Sequence, residues 1–254
     1  MNQARGERLQ KALAQLGLAS RRDVEAWIRS GRLTVNGRVA MLGTRVLGTD
    51  RIRLDGRLVH RRAAASPQVL VCHRSPGEWL DRPQGERPAL LERLPRNAGL
   101  RFVAVSPLPH QDGGLELVTS DGELALQLQR AVRTLVAEFS VRLRGELSDA
   151  QLEGVRAGTL DRGARLEVQD CEPGGGEGAN RWYSVTVRGA SGKDIRRLFE
   201  HTGALVSRVL RTRLGAVALD RALGRGQFRK LDGVELEQLL GADPVATARR
   251  TSRR

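Results

Sequence analysis

The order in which strand-like and helical segments follow one another limits the fold of this chain more than any other feature. From residue 68 onward, short alternating apolar runs are interspersed with apolar residues at helical spacing, without a regular βαβ repeat. The predicted strands are 69–71, 115–119, 139–143, 182–187 and 206–213. Four helices are predicted: one that a capping box at Ser120 opens and that runs through Leu128, one that begins at Ser148, one from Ile195 to near Gly203, and one at 234–240. This irregular order predicts an α+β body built around a mixed sheet.

The first sixty residues predict a separate small unit of two helices and short strands. Apolar residues recur at helical spacing between Leu9 and Leu16, and Ser20 opens a second helix with a capping-box pattern. Asn36-Gly37 then predicts a tight turn between two short strands. We therefore expect a domain at 1–60, a linker at 61–67, a larger domain at 68–241 and a basic, disordered tail at 242–254.

Positive charge is concentrated in this small unit. The chain has 43 lysines and arginines against 29 acidic residues, a net charge of +14. Residues 1–60 carry +7, residues 63–241 only +2, and residues 242–254 carry +3. A compact basic unit attached to a near-neutral body is typical of a protein that binds a polyanion. Nucleic acid is the favoured polyanion, because no apolar run is long enough to cross a membrane.

The residues that usually hold metals or cofactors show no suitable pattern. The four histidines and two cysteines lack metal-ligand spacing, and no glycine loop opens a helix as a phosphate site would. Cys72 and Cys171 lie far apart in a chain without a secretory signal, which favours buried thiols over a disulfide. We expect a cytoplasmic monomer with no membrane span, bound metal or small-molecule cofactor.

Three segments within residues 5–60 resemble a known RNA-binding domain. They are Arg8–Leu13, Ala19–Glu25 and Gly31–Arg38, and they are similar to the small domain named after ribosomal small-subunit protein four. That family applies the basic faces of its two helices and the following turn to RNA backbone. The resemblance implies RNA contacts by Arg8, Lys11, Ser20, Arg21, Arg22, Arg29, Arg32, Asn36 and Arg38. The alternative is a solvated helix face, but arginine forks suit phosphate oxygens and the charge asymmetry favours RNA.

Four segments of the body carry a second resemblance, which runs from about Val69 to Leu240. They are Gly114–Ala125, Gly175–Tyr183, Asp194–Leu198 and Val206–Arg211. In this order they are similar to the bacterial rRNA pseudouridine synthases of the RsuA and RluB group, which carry the same N-terminal domain. The resemblance implies isomerisation of uridine to pseudouridine at one site in folded rRNA, without a cofactor.

The motif that supplies this family's carboxylate is altered. In the family an aspartate closes a Gly-Arg-Leu-Asp motif five residues before the glycine that corresponds to Gly114. Here the motif reads Ser106-Pro107-Leu108-Pro109, so Pro109 stands where the family has its nucleophile. Proline has no ionisable group and a fixed φ, and it cannot act as nucleophile or base.

Other positions of the family's active site differ less. The family's tyrosine corresponds to Phe139, which can stack on a base but lacks the hydroxyl. Its Lys-Pro-x-Gly loop is weakened to Arg74-Ser75-Pro76-Gly77. The basic partner of the catalytic carboxylate corresponds to Arg196, for which the alternative is an ordinary surface arginine beside Arg197.

Three polar residues near Pro109 are candidates for a replacement. Asp112 can replace the family's catalytic carboxylate only if the loop takes a different path. The alternative is that Asp112 forms part of a turn before Gly113. Glu116 is expected to face solvent or an arginine, and His110 is expected to be a loop residue without an acidic partner.

The sequence thus predicts an RNA-binding member of the pseudouridine synthase family that has lost its catalytic aspartate and binds structured rRNA or a ribosomal precursor particle. An active isomerase that uses Asp112 is the second hypothesis. A regulator of ribosomes or stalled complexes, with the body as a protein-binding platform, is the third. A short distance between Asp112 and Arg196 across an open cleft would favour the second, and a basic RNA-facing cleft in the body would favour the first over the third.

Overall fold

The computed structural model describes residues 6–60, 66–81, 88–95 and 101–241. Most of the predicted linker 61–67, namely residues 61–65, and the predicted tail 242–254 lie outside the described residues. The described residues divide into two compact units, the first formed by those within Met1–Pro67 and Pro95–Phe102, and the second by those within Gln68–Leu94 and 103–241.

The first unit contains two short helices and a small antiparallel sheet. Its elements are β1 (Glu7–Arg8), α1 (Leu9–Gln15), α2 (Arg21–Arg29), β2 (Leu33–Val35), β3 (Arg38–Val39), β4 (Arg45–Val46), β5 (Ile52–Leu54) and β6 (Arg57–Leu58). Strands pair in the order β3-β2-β5-β6, and β1 pairs with β4. Leu9, Leu13, Val24 and Ile28 from the two helices form its buried core together with strand residues such as Leu33.

Local signals in the first unit are confirmed. Ser20 Oγ accepts the Asp23 N–H at 3.1 Å while the Asp23 carboxylate accepts the Ser20 N–H at 3.1 Å, so the predicted capping box begins α2. Asn36 and Gly37 have φ of 50° and 81°, the positive values that a two-residue hairpin turn between β2 and β3 requires.

The second unit is built on one large mixed sheet. Its elements are β7 (Val69–Arg74), a 3₁₀ turn (Leu90–Arg93), β8 (Val103–Ala104), β9 (Gly113–Thr119), α3 (Gly122–Val132), β10 (Val136–Arg144), α4 (Asp149–Ala157), a second 3₁₀ turn (Asp161–Gly163), β11 (Glu167–Pro173), β12 (Asn180–Arg188), α5 (Gly192–His201), β13 (Leu205–Leu214), β14 (Val217–Ala218), β15 (Phe228–Lys230) and α6 (Gly233–Gly241). The order is β11-β12-β10-β13-β9-β7-β15, with β14 on β13 and β8 on β9. In the described residues β13 and β9 pair in parallel and the other pairs are antiparallel. The predicted α+β class is confirmed.

Alternation along β10 decides which face of the sheet is covered. Phe139, Val141 and Leu143 are buried in the hydrophobic core, whereas the intervening Ser140 and Arg142 are only half-buried. Since successive strand residues point to opposite faces, one face of this strand carries the core and the other is comparatively open.

The start of α3 differs from the sequence prediction. Asp121, not Ser120, is its N-cap, because the Asp121 carboxylate accepts the N–H groups of Glu123 and Leu124 at 2.7 and 2.8 Å. Ser120 Oγ instead accepts the Gln68 N–H at 2.9 Å. The helix also continues past the predicted Leu128 to Val132.

Cys72 and Cys171 are buried free thiols, as predicted. Burial raises the pKa of Cys72 to about 12 and that of Cys171 to about 11, so both thiols are held protonated. None of the helices in the described ranges combines the length and the apolar character that crossing a bilayer requires.

Candidate functional site

The loop between β8 and β9 contains the altered motif and closes against the core. Leu108 is 4% exposed and belongs to the same core cluster as Phe139. Pro107 is exposed, Pro109 is half-buried, and a Cβ on Gly192 at the start of α5 would lie 2.3 Å from Leu108 Cδ2. The loop is therefore packed directly on the N-terminus of α5.

Phe139 lies on the core-facing side of β10 and is 0% exposed. Its place in the alternating pattern explains this, since residues 137, 139, 141 and 143 are all buried. No face of its ring is open to stack on a base in this structure.

Asp112 and Arg196 form a close ion pair. Arg196 Nη2 lies 2.5 Å from Asp112 Oδ1, and Arg196 Nε donates to Oδ2 at 3.4 Å. Oδ1 also accepts the Val209 N–H at 3.0 Å. Arg196, at 12% side-chain exposure, is not an ordinary surface arginine, and its second terminal amino group donates to the Val206 carbonyl at 3.0 Å.

The Asp112 carboxylate is nevertheless closed to solvent. Its side chain is 0% exposed, and both oxygens accept hydrogen bonds from the protein. The residue also ends a turn, because its N–H donates to the Pro109 carbonyl at 3.1 Å. The pair thus has the short distance that the second hypothesis requires, but not the open cleft.

Glu116 lies between two arginines rather than in solvent. It is 0% exposed, with Arg74 Nε 3.2 Å from Oε1 and Arg211 Nη2 3.3 Å from Oε2. The Arg74 contact is an ion pair without hydrogen-bond alignment, while the Leu108 N–H donates to Oε1 at 2.9 Å. Burial raises the pKa of Glu116, and the charges of Arg211 and Arg74 oppose that rise. Of the two predicted surroundings of Glu116, solvent is wrong and arginine is confirmed.

Arg74 ties the altered loop to the sheet. Its Nη2 lies within hydrogen-bond distance of three loop carbonyls, those of Leu108 at 2.8 Å, Pro109 at 2.6 Å and Asp112 at 3.1 Å. Arg211 adds bonds to the carbonyls of Leu115 at 2.8 Å and Ser106 at 3.0 Å. The two guanidiniums therefore satisfy the backbone of a loop that contains two prolines.

Sequence reasoning did not identify this buried Arg74–Glu116–Arg211 cluster. One available signal was Glu116 itself, a charged residue in the otherwise uncharged segment 113–119. A charge in a strand that is buried on both faces needs a counter-charge.

A close approach of two backbones positions both ion-pair groups. Gly114 has φ of +95°, and a Cβ there would lie 2.3 Å from the Arg211 carbonyl oxygen. The parallel pairing of β9 with β13 begins here, with Gly113 opposite Leu210. It places the residue before β9, Asp112, beside the Val209 N–H and within reach of Arg196.

His110 is exposed, and its ring stacks on Trp79 with 3.9 Å between ring centroids. The Gly77 N–H donates to the His110 carbonyl at 2.8 Å, which joins the altered loop to the Arg74–Gly77 segment. Among the described residues, no group of three or more His, Cys, Asp or Glu side chains could hold a metal ion.

The predicted RNA-contacting residues of the first unit differ in whether they already contact other residues of the protein. Arg21 and Arg22 are exposed at the start of α2, as are Arg8 and Arg38 on β1 and β3. The others have protein contacts: Lys11 lies 3.1 Å from Glu7, Arg29 3.7 Å from Glu25, Arg32 2.5 Å from Asp55, Ser20 caps α2, and Asn36 donates to Asp50 at 2.9 Å.

The Arg32–Asp55 pair is exposed. Its hydrogen bonds raise the pKa of Arg32 and lower that of Asp55. Arg32 also lies over Trp27, with 5.5 Å from Cζ to the ring centroid. Within the described residues, Arg8, Arg21, Arg22 and Arg38 are therefore the exposed cations of this set without an ion pair.

The chain is similar to known proteins both in its first unit and over most of its length. The S4 domain family matches residues 7–52. Ribosomal large subunit pseudouridine synthase B of Pseudomonas aeruginosa is 41% identical over 95% of this chain, which spans 64% of that relative's length. The protein of the same name in Shigella flexneri is 40% identical over 89% of this chain and 80% of its own.

A crystal structure of a pseudouridylate synthase has the same fold, with a TM-score of 0.59 at 20% identity, over 92% of this chain and 99% of the other. The identity to the curated relatives, over most of both chains in the Shigella case, establishes the relationship. The chain belongs to the family of ribosomal large subunit pseudouridine synthases B.

Proposed function

We propose that this protein binds structured rRNA or a ribosomal precursor particle and does not isomerise uridine. The observation that carries the proposal is the state of Asp112, a 0% exposed carboxylate whose two oxygens already accept bonds from Arg196 and Val209. A nucleophile or base has to reach the sugar or base of its substrate. Pro109, at the family's nucleophile position, offers no ionisable group.

The RNA-binding part of the proposal rests on the first unit. Its +7 charge lies within sixty residues, and Arg21 and Arg22 are exposed beside each other at the start of α2. Guanidinium groups there suit phosphate oxygens, and such contacts position a protein on RNA without reading its sequence. The relatives' names refer to the large ribosomal subunit, which supports its rRNA as the target.

Binding of structured large-subunit rRNA fragments tests this part. Replacing Arg21 and Arg22 by glutamine should weaken binding and reduce the slope of log affinity against log salt by roughly one to two, since each lost phosphate contact removes about 0.9. The control Arg188→Gln/Arg197→Gln removes the same charge from partly exposed arginines that are already paired with Glu167 and Asp161. Equal effects of both double variants would contradict a localised RNA anchor.

Pseudouridine mapping tests the absence of catalysis. Total rRNA from cells without the gene is compared with rRNA from cells that carry wild-type protein or Asp112→Asn. Identical maps, together with retained rRNA binding, support the proposal. One site that disappears in the deletion and in Asp112→Asn refutes it.

A second candidate function is an active isomerase with Asp112 as its carboxylate. The 2.5 Å contact with Arg196 favours it, because Arg196 corresponds to the family's basic partner. This function requires the loop at 106–112 to open on RNA binding, which would break three contacts to Arg74. The mapping experiment decides between the two candidates.

We also propose that the protein acts as a cytoplasmic monomer without a cofactor, with the domain boundaries expected above. Light scattering of the purified full chain, alone and with an rRNA fragment, tests the oligomeric state. A dimer mass at the concentrations of the binding assay would contradict it.

A further inference from the structure

Three arginines and a tryptophan lie on the open face of the large sheet. Trp182 on β12, Arg142 on β10 and Arg208 on β13 are direct cross-strand neighbours. Arg144, two residues further along β10, is exposed on the same face. We call these four residues the arginine row.

The row places the planar guanidinium group of Arg142 next to the ring of Trp182. Arg142 Cζ lies 5.8 Å from the centroid of the Trp182 ring. Arg142 Nε donates to Ser207 Oγ at 2.7 Å, which orients the guanidinium plane. Ser207 is the extra residue of a β-bulge, because the pairing of β13 passes from Arg208 to Val206 there. Such a bulge re-aims side chains at one point of a sheet.

The three arginines of the row also lack a nearby counter-charge among the described residues. In the described part of the chain, no carboxylate lies within ion-pair distance of Arg142, Arg144 or Arg208, whereas Arg181, Arg188 and Arg213 are paired with Glu146, Glu167 and Glu138. The row therefore adds a local positive charge to a near-neutral body.

From this arrangement we infer that the arginine row binds a single-stranded segment of RNA; the inference rests on the proposed RNA binding. Bases stack on aromatic rings and guanidinium planes, and phosphates pair with guanidinium groups. An indole on a sheet face can stack only with a base that is not already stacked within a duplex, so the row fits an unpaired strand.

Two features adjoin the ends of the row. Trp182 lines a cavity of about 460 Å³ whose lining also includes Asp149 and the ion pair of Glu146 with Arg181. At the other end, Arg208 directly precedes Val209, whose N–H binds Asp112. The row therefore crosses β12, β10 and β13, from this cavity to the residue next to Val209.

Binding of labelled oligouridylate to the full chain, followed by fluorescence anisotropy, tests the row. Trp182→Ala should weaken binding about tenfold through loss of one stacked base, and Trp182→Phe should largely restore it. Arg142→Gln/Arg208→Gln should reduce the salt slope by about 1.4, since each single-strand phosphate contact contributes about 0.7. Ultraviolet cross-linking should place the oligonucleotide on the peptide that contains Trp182.

The matched control is Arg188→Gln/Arg197→Gln, which has the same net charge as Arg142→Gln/Arg208→Gln. It should bind the oligouridylate as tightly as the wild-type chain does. The inference is overturned if the control variant weakens oligouridylate binding as much as the row variant does. It is also overturned if the wild-type chain binds duplex RNA or an acidic peptide more tightly than the single strand. If Arg21→Gln/Arg22→Gln weakens rRNA binding while row variants change nothing, the proposed function stands and the row is refuted. If no RNA binds the wild-type chain, both are refuted.

Discussion

Replacing Glu116 by glutamine should destabilise the second unit by about 3 kcal/mol. The side chain is 0% exposed between Arg74 and Arg211, so the substitution leaves two buried guanidiniums without their counter-charge. Breaking a buried pair by removing one partner costs about 3–5 kcal/mol. We expect the lower end, because Arg74 keeps three nearby carbonyl acceptors and Arg211 keeps two.

Thermal unfolding followed by circular dichroism measures this effect. For a unit of about 170 residues, each kcal/mol corresponds to about 2–4 °C, so the midpoint should fall by roughly 6–12 °C. The control is Glu167→Gln, which removes an exposed partner of Arg188 and should cost under about 1 kcal/mol. A double-mutant cycle with Arg74→Gln should show a coupling of about 1–3 kcal/mol. A midpoint for Glu116→Gln within error of the Glu167 control would refute the assignment of a stabilising buried cluster.

Three further predictions concern local structure. Gly114→Ala should leave the second unit largely insoluble or unfolded, because φ is +95° and the new Cβ would lie 2.3 Å from a carbonyl oxygen of β13. The control Gly37→Ala has a strained φ of +81° but open space around the new Cβ, so it should lower the free energy of unfolding, measured with denaturant, far less. Ser191→Ala should cost about 1 kcal/mol by removing the cap of α5, measured by urea unfolding, and unchanged stability would contradict that role. Hydrogen bonding from Arg229 lowers the pKa of Glu235, so the anchoring of α6 is present above the ordinary carboxyl range and is lost as pH falls through that lowered pKa. The hydrogen-exchange protection factors of the α6 amides should therefore fall in acid, and they should fall less in Glu235→Gln.

Much of the local structure could be predicted because it depends on residues close together in sequence. The capping box of α2 joins Ser20 to Asp23, and the first hairpin depends on the positive φ of Asn36 and Gly37. The alternation that buries Phe139 is likewise visible in the sequence. In each case the pattern that identifies the feature lies within a few residues, so spacing alone identifies it.

The arrangement of the candidate site depends on contacts that sequence spacing does not reveal. Asp112 and Arg196 are 84 residues apart, and their pairing follows from the parallel alignment of β9 with β13 at Gly114. The same alignment brings Arg211 to Glu116, and the antiparallel pairing of β7 with β9 brings Arg74, although Glu116 was also compatible with solvent exposure in the sequence. That Pro109 cannot supply a carboxylate follows from the sequence alone. That Asp112 is paired and buried is known only from the folded chain, because burial depends on which distant segments close over a side chain.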